Sequence, residues 1–200
     1  MIAYRHADYG TPLRVVPATR GARYHRGTES EPTQYLCEHP LGPMAELMRN
    51  NELRTEAQVL AVRARTWAVK IEVGDLPEID FANAGDFGIQ PAELVADNHE
   101  PCRALAGRLR AEVAGVIVPS ASLPGTRNVV LFGPRVGAPY LVEPISPIDV
   151  PASITAHGGR PIRTLIGSVR YRRERHRALE AWRRGESVSF AEPDWELARA

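Results

Sequence analysis

Alternating and continuous apolar runs predict five strands. In Arg65–Val73 every second residue from Trp67 onward is large and apolar, and Lys70 and Glu72 lie between them, which is typical of a half-buried strand. Two continuous apolar runs bounded by Gly, Pro or Asn predict interior strands. They are Gly115–Pro119 and Asn128–Phe132. Two shorter segments predict further strands, Ile2–His6 and Thr33–Cys37.

Two segments carry the period of an amphipathic helix. The first runs from Pro40 to Asn50, and its apolar stripe consists of Leu41, Met44, Ala45 and Met48. The second follows Pro101, a favoured first-turn residue, and we expect Gly115 to end it. Its residues at helical spacing are Cys102, Leu105, Ala106, Leu109 and Val113. Because strands and helices alternate without βαβ regularity, the sequence predicts an α+β domain rather than a doubly wound one.

The composition changes near residue 144. Prolines and glycines from Pro144 to Pro161 interrupt any periodicity, which favours a wrapping segment or linker. We therefore divide the chain into residues 1–145 and residues 146–200. A basic helix is predicted over Ser168–Trp182, with Val169, Leu179 and Trp182 docking on the core. Its arginines either form a solvated face or grip phosphates.

Bulk properties limit the classes of function. A formal charge of +1 argues against an overall electrostatic attachment to nucleic acid or membrane. No signal-peptide pattern and no apolar run of membrane-spanning length is visible, so we expect a cytoplasmic protein. Cys37 and Cys102 lie in apolar patterns and are expected to be reduced core thiols. The histidines have no zinc-ligand spacing, and no glycine-rich dinucleotide fingerprint occurs, so no metal is expected.

Three separated segments resemble the RES domain family in order and approximate spacing. They are Gly21–Tyr24, then Tyr35 with Glu46, then Val118–Ala121 ahead of Asn128–Phe132. The Tyr4–Arg5 pair and the segment Cys102–Gly107 are also similar. The resemblance covers about residues 1–145. It implies an α+β fold related to ADP-ribosyltransferases, with mixed sheets and flanking helices, and an activity that degrades NAD by phosphorolysis or hydrolysis.

The chain also departs from the family pattern. Members commonly have Gly-Gly-Arg-Trp-Asn where this chain has Gly21–His25, and an aromatic residue where it has His6. Cys102–Arg103 replaces a frequent Cys-Gln pair. The first two differences fall near the presumed pocket, so they bear on substrate choice and rate.

The resemblance and the chemistry of the residues together assign a catalytic set. Cleavage of the nicotinamide–ribose bond needs a carboxylate near the ribose, which becomes cationic as the nicotinamide leaves. Glu46 is predicted to supply it. Arg23 and Arg5 are predicted to bind the phosphates through paired charge-assisted hydrogen bonds. NAD is consumed as a substrate in this scheme, so no cofactor is required.

The remaining predicted site residues supply a ring and a hydroxyl. Tyr24 and Tyr35 are predicted to flank the nicotinamide riboside, and Ser120 to position the substrate. Gly42, one turn before Glu46, would leave room for a ligand.

Each predicted site residue also has a structural interpretation. Glu46 is also consistent with a solvated helix face, where it would pair with Arg49. Arg23 is consistent with a surface charge, and Tyr35 with a position in the core. Ser120, which follows a proline at a strand end, fits a turn hydroxyl.

The RES resemblance further implies a toxin of a toxin–antitoxin module. It implies a homodimer covered by an Xre-like antitoxin that carries the DNA-binding function. The residues leave open whether water or phosphate accepts the ribosyl group. Two alternatives also remain, ADP-ribosyl transfer to a protein or nucleotide, and a non-catalytic binding module that uses the basic C-terminal helix.

Overall fold

The computed structural model describes residues 1–6, 20–27, 32–62, 66–71, 73–133, 141–148 and 162–190. Six strands in these ranges form one sheet in the order β4-β5-β2-β1-β3-β6. They are β1 (Ile2–His6), β2 (Thr33–Cys37), β3 (Thr66–Ile71), β4 (Gly115–Pro119), β5 (Arg127–Phe132) and β6 (Leu141–Ile148). All pairs of neighbouring strands are antiparallel.

The helices lie against this sheet, which confirms the α+β class. They are α1 (Gly42–Asn51), α2 (Glu56–Ala61), α3 (Glu100–Leu109), α4 (Ile162–Ser168) and α5 (Arg177–Arg183), with short 3-10 turns at Ala84–Phe87 and Pro91–Leu94. The resemblance implied sheets with both parallel and antiparallel strand pairs. Within the described ranges, parallel pairing is limited to one isolated bridge between Glu78 and Ile117. None of the helices in those ranges is long and apolar enough to cross a membrane.

The five predicted strands and two predicted helices are present. In β3 the side chains of Trp67, Val69 and Ile71 are buried and Lys70 is exposed, as the alternation predicts. The apolar stripe of α1 is buried, and so are both cysteines. The helix after Pro101 ends at Leu109 and not near Gly115. Arg110 follows it, and its side chain donates to the carbonyl oxygens of Tyr24 and Pro32. The chain then continues as a turn, in which the N–H groups of Glu112 and Val113 donate to Leu109 O.

Residues 141–148 correct the prediction that a wrapping segment begins at residue 144. This stretch is β6, which pairs with β3 at the edge of the sheet. Its prolines pair opposite Trp67 and Val69, and the register shifts next to Val69. Proline is tolerated in an edge strand because the outer N–H groups have no strand to bond. The rest of the predicted wrapping segment, residues 149–161, lies outside the described ranges, and the division of the chain near residue 145 stays a prediction.

The prediction of one continuous helix over Ser168–Trp182 is wrong. The chain leaves α4 after Ser168 and starts α5 only at Arg177. Between them Arg173 adopts a left-handed backbone, with φ of 66°, and its N–H donates to Asp97 Oδ2 over 2.6 Å. The helical pattern is broken because this tertiary contact fixes the backbone there.

The segment 162–190 packs on the rest of the fold at two places. Leu165, Val169 and Tyr171 join the apolar cluster beneath α1. Leu179 joins the cluster around α3 and β4. Trp182, which was predicted to dock, is 38% exposed and contacts Phe81 by its ring, with centroids 6.1 Å apart.

We expect Leu179, and not Trp182, to provide most of the docking energy of α5. Leu179→Ala removes a buried side chain and should lower the free energy of unfolding by about 2–5 kcal/mol. Trp182→Ala removes a partly solvated ring and should cost about 1 kcal/mol. Urea unfolding of both variants measures the two losses, and equal losses would contradict the burial of Leu179.

His176 makes the stability of this segment depend on pH. Burial, followed by the charges of nearby arginines, lowers the pKa of His176 to about 4. Its Nδ1 accepts from Leu179 N–H at 3.2 Å and caps α5, so Nε2 carries the proton and donates to Ser120 O at 2.9 Å. Protonation of Nδ1 removes that cap.

The expected sign is a loss of stability on acidification. Between pH 6.5 and 4 the unfolded chain takes up a proton at His176 that the folded chain resists, so folding weakens by up to about 1.4 kcal/mol per pH unit. His176→Gln should reduce this slope when unfolding is measured by urea across that range. His99, whose pKa is also lowered to about 4, retains its own contribution in the variant. Parallel pH profiles would disprove the role of His176.

Candidate functional site

A cavity of about 360 Å³ lies between α1 and the central strands. On this face of the sheet Tyr35 pairs opposite Val130, and Cys37 opposite Asn128. All four residues line the cavity. The volume is at the lower end of the range for small-molecule sites.

The cavity brings together five of the six predicted site residues. They are Arg5, Arg23, Tyr24, Tyr35 and Glu46. These residues come from β1, the turn at residues 20–27, β2 and α1, so only the folded sheet and helix make them neighbours. Among the described residues, no group of three or more His, Cys, Asp or Glu is arranged to hold a metal ion.

Glu46 lies on the face of α1 that closes the cavity. Asn128 Nδ2 of β5 donates to Glu46 Oε1 over 3.1 Å. Arg49, the partner that the surface interpretation assigned to Glu46, pairs instead with Asp97 at 2.5 Å. The Glu46 carboxylate is therefore oriented by an amide from the sheet and is half-buried at the cavity wall.

Gly42 serves packing and not the ligand room predicted for it. A Cβ built at Gly42 would collide with the side chain of Cys37. Glycine lets the first turn of α1 approach β2 this closely. This close approach affects the site indirectly, because it fixes the distance between α1, which carries Glu46, and the sheet, which carries Asn128.

Both predicted arginines are fixed by neutral acceptors. Arg23 Nη1 donates to Ala96 O at 2.6 Å and to Leu94 O at 3.3 Å. Arg5 Nη1 donates to Gln34 Oε1, and burial lowers the pKa of Arg5. These bonds orient both guanidinium groups at the cavity wall.

The two tyrosines occupy different environments. Tyr24 is 2% exposed, and its ring packs in the apolar cluster with Leu105. Tyr35 Oη accepts from Tyr24 N–H at 3.0 Å and lies 2.9 Å from His25 Nδ1. Burial raises the pKa of Tyr35, so its hydroxyl keeps its proton at neutral pH. Tyr24 is thus a fully buried part of the cavity wall, whereas Tyr35 is only partly buried.

His25 replaces the asparagine that is common in the RES pattern, and it is held in place. Its Nε2 lies 3.2 Å from Arg20 O, and since a carbonyl only accepts, Nε2 carries the proton of the neutral ring. Nδ1 then accepts from the Tyr35 hydroxyl. His25 therefore provides a polar contact for Tyr35.

Ser120 does not line the cavity, although its neighbours Pro119 and Ala121 do. It is 1% exposed, and its Oγ accepts from Leu123 N–H at 3.1 Å. Its backbone bonds to Thr126 and His176. This geometry favours the turn-hydroxyl interpretation of Ser120 over direct contact with a ligand.

Sequence reasoning missed four polar residues of the cavity. They are Arg49, Asn50, His99 and Asn128. Arg49 and Asn50 lie three and four residues after Glu46, a spacing that places them on one helix face and could have identified them. Burial, followed by the charges of Arg23 and Arg103, lowers the pKa of His99 to about 4, so this ring is neutral at physiological pH.

The structure is that of an α+β protein with a cavity whose described lining residues include several arginines and one carboxylate. The family model described as the RES domain matches residues 2–151. The chain therefore belongs to the RES domain family.

Two comparisons with individual proteins agree with this family. Over 116 residues the chain is 28% identical to a Mycobacterium tuberculosis protein named "Probable NAD(+) phosphorylase", a match that covers 58% of this chain and 55% of that protein. The match thus spans about half the length of that curated relative. The fold is similar to a chain in the crystal structure of the M. tuberculosis MbcT–MbcA toxin–antitoxin complex, with a TM-score of 0.62 and 19% identity, covering 82% of this chain and 88% of that one.

Proposed function

We propose that this protein cleaves NAD at the nicotinamide–ribose bond and transfers the ADP-ribosyl group to water or phosphate. The observation that carries the proposal is the Glu46 carboxylate, held by Asn128 in a cavity that also contains Arg5 and Arg23. The name of the mycobacterial relative, a probable NAD(+) phosphorylase, supports the same chemistry.

Glu46 would act on the ribosyl cation. The nicotinamide of NAD already carries a positive charge, so it departs with the electron pair of the C–N bond and needs no proton. Positive charge then develops on the ribose ring, as in glycoside hydrolysis. A carboxylate that is already oriented by Asn128 stabilises this charge without reorganising during the reaction.

The other residues would bind and orient the dinucleotide. Arg5 and Arg23 carry positive charge toward the pyrophosphate, and we assign them to it. Tyr35 would flank the nicotinamide riboside, supported by Tyr24 from behind. Ser120 would act indirectly, by closing the turn after β4 whose residues line the cavity.

Replacement of Glu46 tests the catalytic assignment. Glu46→Gln keeps the size of the side chain and an acceptor for Asn128 but removes the charge, so nicotinamide release should fall by about 10²–10³-fold. Glu112→Gln, at an exposed turn away from the cavity, is the matched control and should have the activity of the unmodified protein. Chromatography of products from NAD, with and without phosphate, measures release and identifies the acceptor.

The outcomes separate the alternative functions. Near-normal turnover in folded Glu46→Gln protein would reject the role of Glu46. Labelled protein after incubation with labelled NAD would instead support ADP-ribosyl transfer. Absence of any reaction, together with tight nucleic-acid binding, would support the non-catalytic binding module.

We further propose that a cognate Xre-like antitoxin restrains this enzyme in the cytoplasm, and that the toxin is a homodimer. An enzyme that consumes NAD depletes its own cell unless it is blocked. The structural relative was crystallised as a toxin–antitoxin complex. A partner carboxylate placed on Arg5 or Arg23 would occupy the cations that otherwise hold the pyrophosphate.

Expression in a bacterial host tests this restraint. The chain alone should lower cellular NAD and stop growth, and co-expression with the antitoxin gene of its own operon should restore both. Glu46→Gln expressed alone should leave NAD and growth normal. Unchanged NAD during abundant expression of folded, unmodified protein would contradict the proposed toxicity.

A further inference from the structure

Arg49 is a buried cation in the cavity wall, and one of its donors has no partner among the described residues. It lies three residues after Glu46 on α1, lines the cavity, and its side chain is 5% exposed. Its Nη2 donates to Asp97 Oδ1 at 2.5 Å. Its Nε is buried and has no hydrogen-bond partner in the part of the chain that the structure describes. An unsatisfied buried donor on a charged group is costly, and a ligand oxygen that came within hydrogen-bond distance would relieve that cost.

Asp97 holds Arg49 in this position and is itself held by two residues of segment 162–190. Arg170 Nη1 lies 3.0 Å from Asp97 Oδ1, and Arg173 N–H donates to Oδ2 at 2.6 Å. Burial alone would raise the pKa of Asp97, but these bonds and the neighbouring arginine charges outweigh it and lower the pKa to about 2. Asp97 is therefore ionised at neutral pH, and segment 162–190 anchors it.

Arg170 shares the Asp97 carboxylate with Arg49 but is bonded differently. Its Nε donates to Glu174 O at 3.0 Å, and its Nη1 donates to Val95 O and to Asp97. It is buried and does not line the cavity. Arg49 shares the same carboxylate but faces the cavity, and its Nε lacks a partner.

We propose that Arg49 binds a phosphate oxygen of the dinucleotide in this cavity and that Asp97 is the residue that positions it. The identity of the ligand rests on the proposed function, whereas the anion site rests on the contacts of Arg49. A guanidinium fixed at one end by a carboxylate presents its remaining donors in one direction, which is how arginine selects phosphate. Segment 162–190, which follows the residues that the family model matches, thereby becomes part of the site.

Arg49→Lys tests the anion site directly. Lysine keeps the charge and the ion pair with Asp97 but lacks Nε, so the fold should remain and anion binding should weaken. Titration calorimetry with inorganic pyrophosphate and with NAD should give dissociation constants raised by about 10- to 100-fold, the loss expected for a hydrogen bond to a charged group. Arg54→Lys is the matched control, since Arg54 is paired with Glu52 and Glu174 at the surface and does not line the cavity. It should bind both probes as the unmodified protein does.

These probes separate this proposal from the proposed function. Weaker pyrophosphate binding by Arg49→Lys supports the anion site even if NAD is never cleaved. Unchanged binding of pyrophosphate and NAD by folded Arg49→Lys overturns it even if NAD is cleaved normally. If the unmodified protein binds neither pyrophosphate nor NAD, the proposed anion site is overturned as well. An effect confined to inorganic pyrophosphate, with NAD binding unchanged, would overturn the assignment to the dinucleotide.

Asp97→Asn tests the positioning role. If Asp97 orients Arg49, the KM for NAD should rise about tenfold or more while kcat at saturation changes by less than about twofold. A residue that only supports the fold would lower the active fraction, and hence kcat, with KM unchanged. That result would overturn the positioning role. Should Asp97→Asn fail to fold, Arg170→Lys, which retains a positive charge opposite Asp97, provides the same comparison of KM with kcat.

Discussion

The close approach of α1 to β2 at Gly42 and Cys37 determines where the charged groups of the cavity lie. With no side chain at position 42, the helix begins in contact with the sheet, and its apolar stripe is buried along its length. Glu46 then reaches Asn128 on β5, and Arg49 reaches Asp97. Hydrophobic packing, which is not directional, thus fixes the positions of groups whose interactions are directional.

The sequence predicted those elements of the fold whose apolar period is strong. The strands β1 to β5 and the helices α1 and α3 belong to this group. Helix α2 was missed because it has only six residues, although Thr55 and Gln58 form a capping box that marks its start. β6 was missed because its prolines are typical of a linker. The predicted helix across Arg173 does not form because a contact with Asp97 overrides the local helical propensity.

The site was predictable where a residue's role depends on its chemical type, and not where it depends on distant contacts. Arg5, Arg23 and Glu46 line one cavity, and the roles that the family resemblance implied for them stay predictions. Asn128 is 82 residues away from Glu46 in the chain, and no local sequence pattern predicts the hydrogen bond between them. Ser120 illustrates the converse problem, because a hydroxyl that closes a turn and one that contacts a ligand give the same sequence signal.

The charge balance of the cavity links its occupancy to the stability of the whole chain. Three arginines line it, Arg5, Arg23 and Arg49, and Glu46 is the one carboxylate among the lining residues that the structure describes. An anion that bound there, and only to the folded chain, would raise the free energy of unfolding by mass action. In that case the empty protein would be the form more exposed to unfolding and proteolysis, and its lifetime would depend on what fills the cavity.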